Sequence, residues 1–165
     1  MNIFVLDEHP VFAARMLCDK HVVKMVLETA QLLSTTYWHF NQPAPYKQTH
    51  KNHPCAVWAR SRHSNYEWLW EHGIAIAEEY TYRYNKIHKS QAVIEELAEL
   101  PRGIRRGPMT PFPLCMPDKY KTDDVVESYR AYYVGEKSHM LTYKNRPAPE
   151  FIQNIGGGER RSAFA

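Results

Sequence analysis

Residues able to do proton-transfer chemistry are threaded at helical spacing through the segment Cys18-Asp-Lys-His-Val-Val-Lys-Met-Val-Leu-Glu-Thr-Ala-Gln-Leu-Leu33. Stepping ~100° per residue places Lys20, His21, Lys24, Glu28, Gln31 and Thr35 within one arc of roughly 100°. Val22, Val23, Met25, Val26, Leu27, Ala30, Leu32 and Leu33 fill the remainder. A surface helix shows the reverse proportion, a limited apolar stripe and a wide polar back. This helix is therefore expected to be enclosed on most sides, with its polar groups sharing one slot. Glu28 lies one turn from Lys24 and Gln31 and two turns from His21, a setting suited to proton transfer or to stabilising a developing cation. An ordinary Lys24–Glu28 ion pair is the plainer account of the same spacing.

Three other groups invite a chemical reading. Cys18 and His21 have C-x-x-H spacing, and His50, His53 and Cys55 follow in a loop, so a zinc site can be drawn on paper. The second group lacks clean ligand spacing and Cys is commonly a small buried hydrophobe, so neither a metal nor a cofactor is expected. Arg102, Arg105 and Arg106 would suit phosphate contacts, although a solvated basic loop accounts for them equally well. Tyr129, Tyr132, Tyr133 and Lys137 repeat at helical spacing and would suit stacking on or wedging into a duplex. Aromatics at that spacing more often build a core.

The elements that must position these groups follow from local signals. Asn2 to Leu6 reads as a short extended segment tucked into the fold. Pro10 suits a helix first turn, with a short helix continuing to Leu17. Asp19, costly on an apolar arc, is expected to cap a helix from Lys20 to about Tyr37. Pro43, Pro45 and Pro54 mark a loop that delivers Thr49 to Cys55, and Pro54 opens a helix bearing Ala56 and Trp58. From about Ser64, Tyr66, Leu69, Trp70, Gly73, Ala77, Tyr80, Thr81 and Tyr84 repeat at three- and four-residue intervals, which predicts a long helix. Ser90 is the expected cap of a shorter helix burying Val93, Ile94, Leu97 and Leu100. Pro101 to Pro117 reads as a long Pro-, Gly- and Arg-rich loop. Thr122, Asp123 and Asp124 then start a helix that runs toward Met140, with a break expected near Gly135. The fold class expected is mainly α, a compact helical domain over residues 1–150 with a flexible tail, 151–165, containing Gly156 to Gly158.

The chain has 165 residues, a 13% aromatic fraction and a net charge of +3. That charge permits a nucleic-acid partner through a local basic face without requiring one. Cys18, Cys55 and Cys115 are odd in number and widely spaced, which suits a reducing compartment. Neither a signal sequence nor an apolar run of spanning length is seen, so a cytoplasmic protein independent of membranes is expected.

Asp19-Lys-His21 followed by Glu28 resembles the Asp-x-His segment of the pyrimidine-dimer DNA glycosylase family, small helical repair enzymes typified by the phage endonuclease V, in which the catalytic glutamate stands nine positions after the Asp. Lys20, Lys24, Glu28 and Gln31 are similar to a basic-x-x-Lys-x-x-x-Glu-x-x-Gln helix of bacterial relatives. Asn52, His53, Pro54 and Trp58 resemble an Asn-His-Pro motif with a following Trp, here one residue early. Glu79, Tyr80 and Arg83 resemble part of the family's second long helix. The resemblance covers roughly the first ninety residues, with an echo from Tyr129 to Lys137.

The resemblance implies that an N-terminal amine attacks the sugar carbon bearing a damaged base and forms an imine, while the glutamate assists ring opening and strand cleavage. The phage member exposes a threonine amine after Met removal. Here residue 2 is Asn, large enough that Met1 is expected to stay. Either the Met1 amine serves, or Lys20 or Lys24 replaces it, or the imine step is absent and Glu28 activates water.

The function expected is that of a DNA glycosylase, with or without an associated lyase step, acting on lesion-containing duplex DNA. Glu28, Met1, His21 and Lys24 are its catalytic candidates. Lys20, Gln31, His53, Arg102, Arg105, Arg106, Tyr132 and Lys137 are the candidates for binding the substrate. A non-catalytic nucleic-acid-binding or inhibitor protein on the same fold, and a hydrolase or transferase of free nucleotides, are the alternatives.

Overall fold

The computed structural model describes residues 1–154. Seven α-helices occur among them in chain order: α1 (Pro10–Met16), α2 (Asp19–His39), α3 (Pro54–Ser61), α4 (His63–Tyr84), α5 (Gln91–Glu96), α6 (Val125–Glu136) and α7 (Glu150–Gln153). No strand is formed by the described residues, and none of their helices is long and apolar enough to cross a membrane. The mainly α class holds.

Two long helices, α2 and α4, form the centre, and the approach between them is set by Gly73. A Cβ there would stand 2.7 Å from Thr29 Cγ2 and 3.3 Å from Ile94 Cδ1. The missing side chain thus lets α4 lie close to α2 beside Glu28, with α5 against both. Val22, Met25, Val26, Ala30, Leu32 and Leu33 of α2 join Tyr66, Leu69, Ile76 and Ala77 of α4 in one buried core.

Asp19 is the first residue of α2 and not its cap. Cys18 occupies the cap position, and its side chain makes no capping hydrogen bond. The Asp19 carboxylate instead pairs with Arg83 Nη1 at 3.1 Å and accepts the Lys144 amide at 2.8 Å. Arg83, 1% exposed, also pairs with Glu79, and Arg146 clamps Glu79 from the other side at 2.6 Å. A carboxylate avoids the cost of burial when cations and N–H donors surround it, which a one-helix reading cannot see.

The expected enclosure of α2 is incomplete. Val23 and Leu27 are 40% and 41% exposed, so part of its apolar arc faces solvent. The helix also runs two residues beyond Tyr37, to His39. Ser90 precedes α5 but makes no cap, because its hydroxyl meets the Tyr46 hydroxyl at 2.8 Å. Helix α6 passes through Gly135 and ends at Glu136, with Asp124 capping it through the Glu127 amide. Tyr129 and Tyr133 of α6 are fully buried, which removes them as duplex contacts. Ile152 of α7 is buried in the core, whereas Gly156 to Gly158 lie outside the described residues.

The segment before α1 buries Ile3, Phe4, Val5 and Leu6, but it is bent where a straight run is expected. Phe4 has φ +55°, a left-handed conformation that costs a non-glycine residue about 1–3 kcal/mol. The bend persists because Asn2 Oδ1 accepts the amides of Ile3 (2.7 Å) and Phe4 (3.2 Å) and because the Phe4 ring is stacked on His21. Its consequence is to turn the amino terminus inward onto α2.

Substitution at Gly73 tests the packing. Gly73→Val trades a helix-propensity gain of a few tenths of a kcal/mol for overpacking worth about 1–3 kcal/mol. The urea midpoint should fall by an amount corresponding to roughly 1–2 kcal/mol with unchanged slope.

Candidate active site

The amino terminus and Glu28 come together in the core-facing slot of α2. The Met1 amine is 3.1 Å from Glu28 Oε1, with the Met1 side chain 2% and the Glu28 side chain 10% exposed, while Met1 as a whole residue is half-buried. Lys24 Nζ lies 3.7 Å from Oε2, but its side chain is 65% exposed, so the solvent-facing i,i+4 pair is the weaker of the two. Oε2 itself has no hydrogen-bond partner although it is buried.

His21 does not touch Glu28; its ring closes the side of the slot. Its Nδ1 is 2.7 Å from the Tyr133 hydroxyl, which also accepts the Cys18 amide. Burial, reinforced by Lys137 and Lys24, lowers the His21 pKa to about 4. The ring is therefore neutral near pH 7. Phe4 stacks on His21 at 4.2 Å, Tyr132 stacks on the other side of Phe4 at 6.2 Å, and Lys137 stands 5.3 Å above Tyr132. Tyr132 and Lys137, both half-buried, continue that stack outward from His21 and Phe4.

His53 comes in from α3. Its Nδ1 accepts the Cys55 amide at 3.0 Å and so caps that helix. Burial lowers its pKa first, and the amino terminus and His50 lower it further, while Glu28 opposes them. The amino terminus and Glu28 are thus both within electrostatic reach of His53.

Gln31 is half-buried one turn beyond Glu28, and Lys20 is exposed at the start of α2. The arginine loop is not brought to Glu28. Arg102 is anchored to Gln42, and Gly103 packs on Phe40 at the far end of α2. From Glu28 to Phe40 the rise is about 18 Å, for 1.5 Å per residue. Arg102, Arg105 and Arg106 are all exposed there, placed to meet phosphates only at a distance from the slot.

The zinc grouping drawn from the sequence does not form. Cys18 and His21 both turn to Tyr133, whereas His53 and Cys55 meet Cys115 from the long loop, with ligand atoms within 4.8 Å of one another. Neutral imidazole offers a single lone pair, and His53 spends it on the Cys55 amide. A metal would have to displace that cap.

Asn2 and Phe4 were not among the expected site residues. Asn2 joins the sites of Met1 and Cys115, since Nδ2 donates to the Cys115 carbonyl at 2.9 Å. A contact across 113 residues leaves no local mark in sequence.

A family model described as pyrimidine dimer DNA glycosylase matches residues 1–92, more than half of the chain's 165 residues. The chain belongs to the pyrimidine dimer DNA glycosylase family. Comparison with curated proteins and with solved structures gives no match. The matched region carries Met1, His21, Lys24, Glu28 and His53, and it ends before Cys115 and α6.

The neutral burial of His21 sets the sign of a pH effect. Its folded pKa, about 4, lies below the ordinary 6.5, so the unfolded chain takes up the proton first. The stabilisation is complete above pH 6.5 and is lost as pH falls from 6.5 toward 4, on the order of 3 kcal/mol in all. His21→Phe should flatten the dependence of unfolding free energy on pH in that window by up to one proton, read from urea titrations at successive pH values.

Proposed function

We propose that this member of the family is a DNA glycosylase with an associated lyase step, in which the Met1 amine is the nucleophile and Glu28 the proton-transferring carboxylate. The observation that carries this reading is the 3.1 Å approach of the Met1 amine to Glu28 Oε1 inside the fold. An amine attacks only when unprotonated, and Oε1 is the acceptor at hand. Once its proton is taken, the amine attacks C1′ of the damaged nucleotide, the bond to the base breaks, and an imine joins protein and sugar. Glu28 then returns that proton to the opening sugar ring.

Lys24 fits this reading as a charge outside the slot, since its side chain is 65% exposed. Retention of Met1 behind the bulky Asn2 is consistent with the use of its amine, and Asn2 fixes the turn that aims it. The substrate is lesion-containing duplex DNA, whose target nucleotide must leave the stack for C1′ to reach an amine set against α2. Tyr132 and Lys137 outward from Phe4, Lys20 and Lys24 along α2, and Arg102, Arg105 and Arg106 farther out would receive the strand and its phosphates. Release of base from a dimer-containing duplex should therefore weaken steeply with added salt.

Cyanoborohydride trapping on duplexes containing an abasic site or a pyrimidine dimer tests the mechanism. The adduct should map to the Met1 amine by peptide mass. An uncleaved extension before Met1 should abolish trapping, and Glu28→Gln should slow it by about 10²–10⁴-fold. Lys24→Met should retain it. An adduct on Lys20 or Lys24 would sink the assignment of the nucleophile, and base release unchanged in Glu28→Gln would sink that of the acid.

A further inference from the structure

Cys55 and Cys115 are 60 residues apart in sequence, yet their sulfurs are 3.7 Å apart. Cys55 sits in the first turn of α3 and is fully buried, whereas Cys115 lies in the irregular loop before α6 and is half-buried. The two thiols are held unequally. Hydrogen bonding with Cys55 draws the Cys115 pKa down to about 7, with Tyr129, Lys121 and the amino terminus assisting against burial. The Cys55 thiol is pushed well above the usual thiol range by the same hydrogen bond and by burial. The accessible sulfur is thus the thiolate near neutral pH and the buried one keeps its proton, the division of labour of an attacking and a resolving cysteine.

The backbone of Cys115 is attached to the amino-terminal turn. Its carbonyl accepts Asn2 Nδ2 at 2.9 Å, and its amide donates to the Tyr129 hydroxyl at 3.2 Å. Asn2 Oδ1 in turn holds the Ile3 and Phe4 amides. A shift of Cys115 is therefore passed to the residue next to the Met1 amine. Closing the sulfurs from 3.7 Å to a bond of about 2.05 Å needs an approach of about 1.7 Å. Cys55 is fixed in a helix packed on the core, so the irregular loop is the side that moves.

We propose that Cys55 and Cys115 form a redox-modification site at which a peroxide makes a disulfide, pulling Asn2 and the Met1 amine away from Glu28. Control of the amine rests on the function proposed above, whereas the disulfide does not. The Cys115 thiolate attacks one peroxide oxygen, the O–O bond breaks, and sulfenic acid and hydroxide form, with sulfur oxidised by two electrons. The Cys55 sulfur then attacks the sulfenic sulfur. The S–S bond forms, the S–O bond breaks, and the departing hydroxide leaves as water with the Cys55 proton. Reduction by a dithiol reverses the change. Cys18 stays out of the exchange because it is fully buried against Tyr133.

The test starts with full-length protein reduced with dithiothreitol, desalted and treated with hydrogen peroxide. Alkylation and peptide mass should show Cys55 joined to Cys115 with Cys18 still free. The rate of cyanoborohydride trapping on abasic duplex should drop severalfold and return with dithiothreitol. Cys115→Ser should trap at the reduced rate and ignore peroxide, and Cys55→Ser should stop at a dimedone-reactive sulfenic acid. Absence of the linked peptide overturns the site, and a linked peptide with unchanged trapping overturns the control of the amine. Stoichiometric zinc uptake by the reduced protein, with a thiolate–cobalt charge-transfer band lost in Cys115→Ser, would overturn the redox reading in favour of a metal. If reduced protein traps nothing while the disulfide still forms, the proposed function fails and the modification site stands.

Discussion

The contact on which the site depends is the meeting of the Met1 amine with Glu28. A carboxylate with 10% of its side chain exposed needs a partner in place, and an amino terminus, normally the most mobile part of a chain, needs something to hold it. Each answers the other's requirement. The surrounding structure is arranged to make the meeting unavoidable. Asn2 closes the turn, Phe4 accepts a left-handed backbone to complete it, and His21 and Tyr132 hold the Phe4 ring from both sides.

A second layer keeps α2 where the amine needs it. Gly73 brings α4 to within contact of Thr29, the neighbour of Glu28, and the Asp19–Arg83–Glu79–Arg146 cluster locks the start of α2 to α4 and to the segment around residue 146. Such buried charges add little net stability against apolar replacements, but they tolerate few arrangements. Here they set the register of two long helices, and through it the depth at which Glu28 lies. Tyr133 extends the same support from α6, since one hydroxyl serves both Cys18 and His21. The part of the chain beyond the family match thus holds the matched part in shape.

The helical order was legible because it rests on local rules. Pro10 and Pro54 mark first turns, and the aromatic repeat from Tyr66 to Tyr84 needs only the 3.6-residue period. Glu28 was legible for the same reason, as one polar residue on a crowded apolar helix. The misreadings came where a partner lay far along the chain. Asp19 looked like a cap because caps are local, while Arg83 and Lys144 are 64 and 125 residues away. Tyr129 and Tyr133 looked as available as Tyr132, since periodicity does not say which side of α6 meets the core. The zinc grouping drew in Cys18 and omitted Cys115 because spacing along a loop was its only guide.

By itself, the sequence determined which segments are helical, which carboxylate stands among apolar neighbours, and that Asn2 follows the Met1 amine. Those properties depend on side-chain size and on periods of a few residues. Only the tertiary structure decided that this amine reaches that carboxylate, that Cys115 joins Cys55 under Asn2, and that the arginines stand about 18 Å down the helix from the slot. These are distances between segments brought together by a shared core, and burial of apolar surface fixes them without leaving a periodic trace in any one segment.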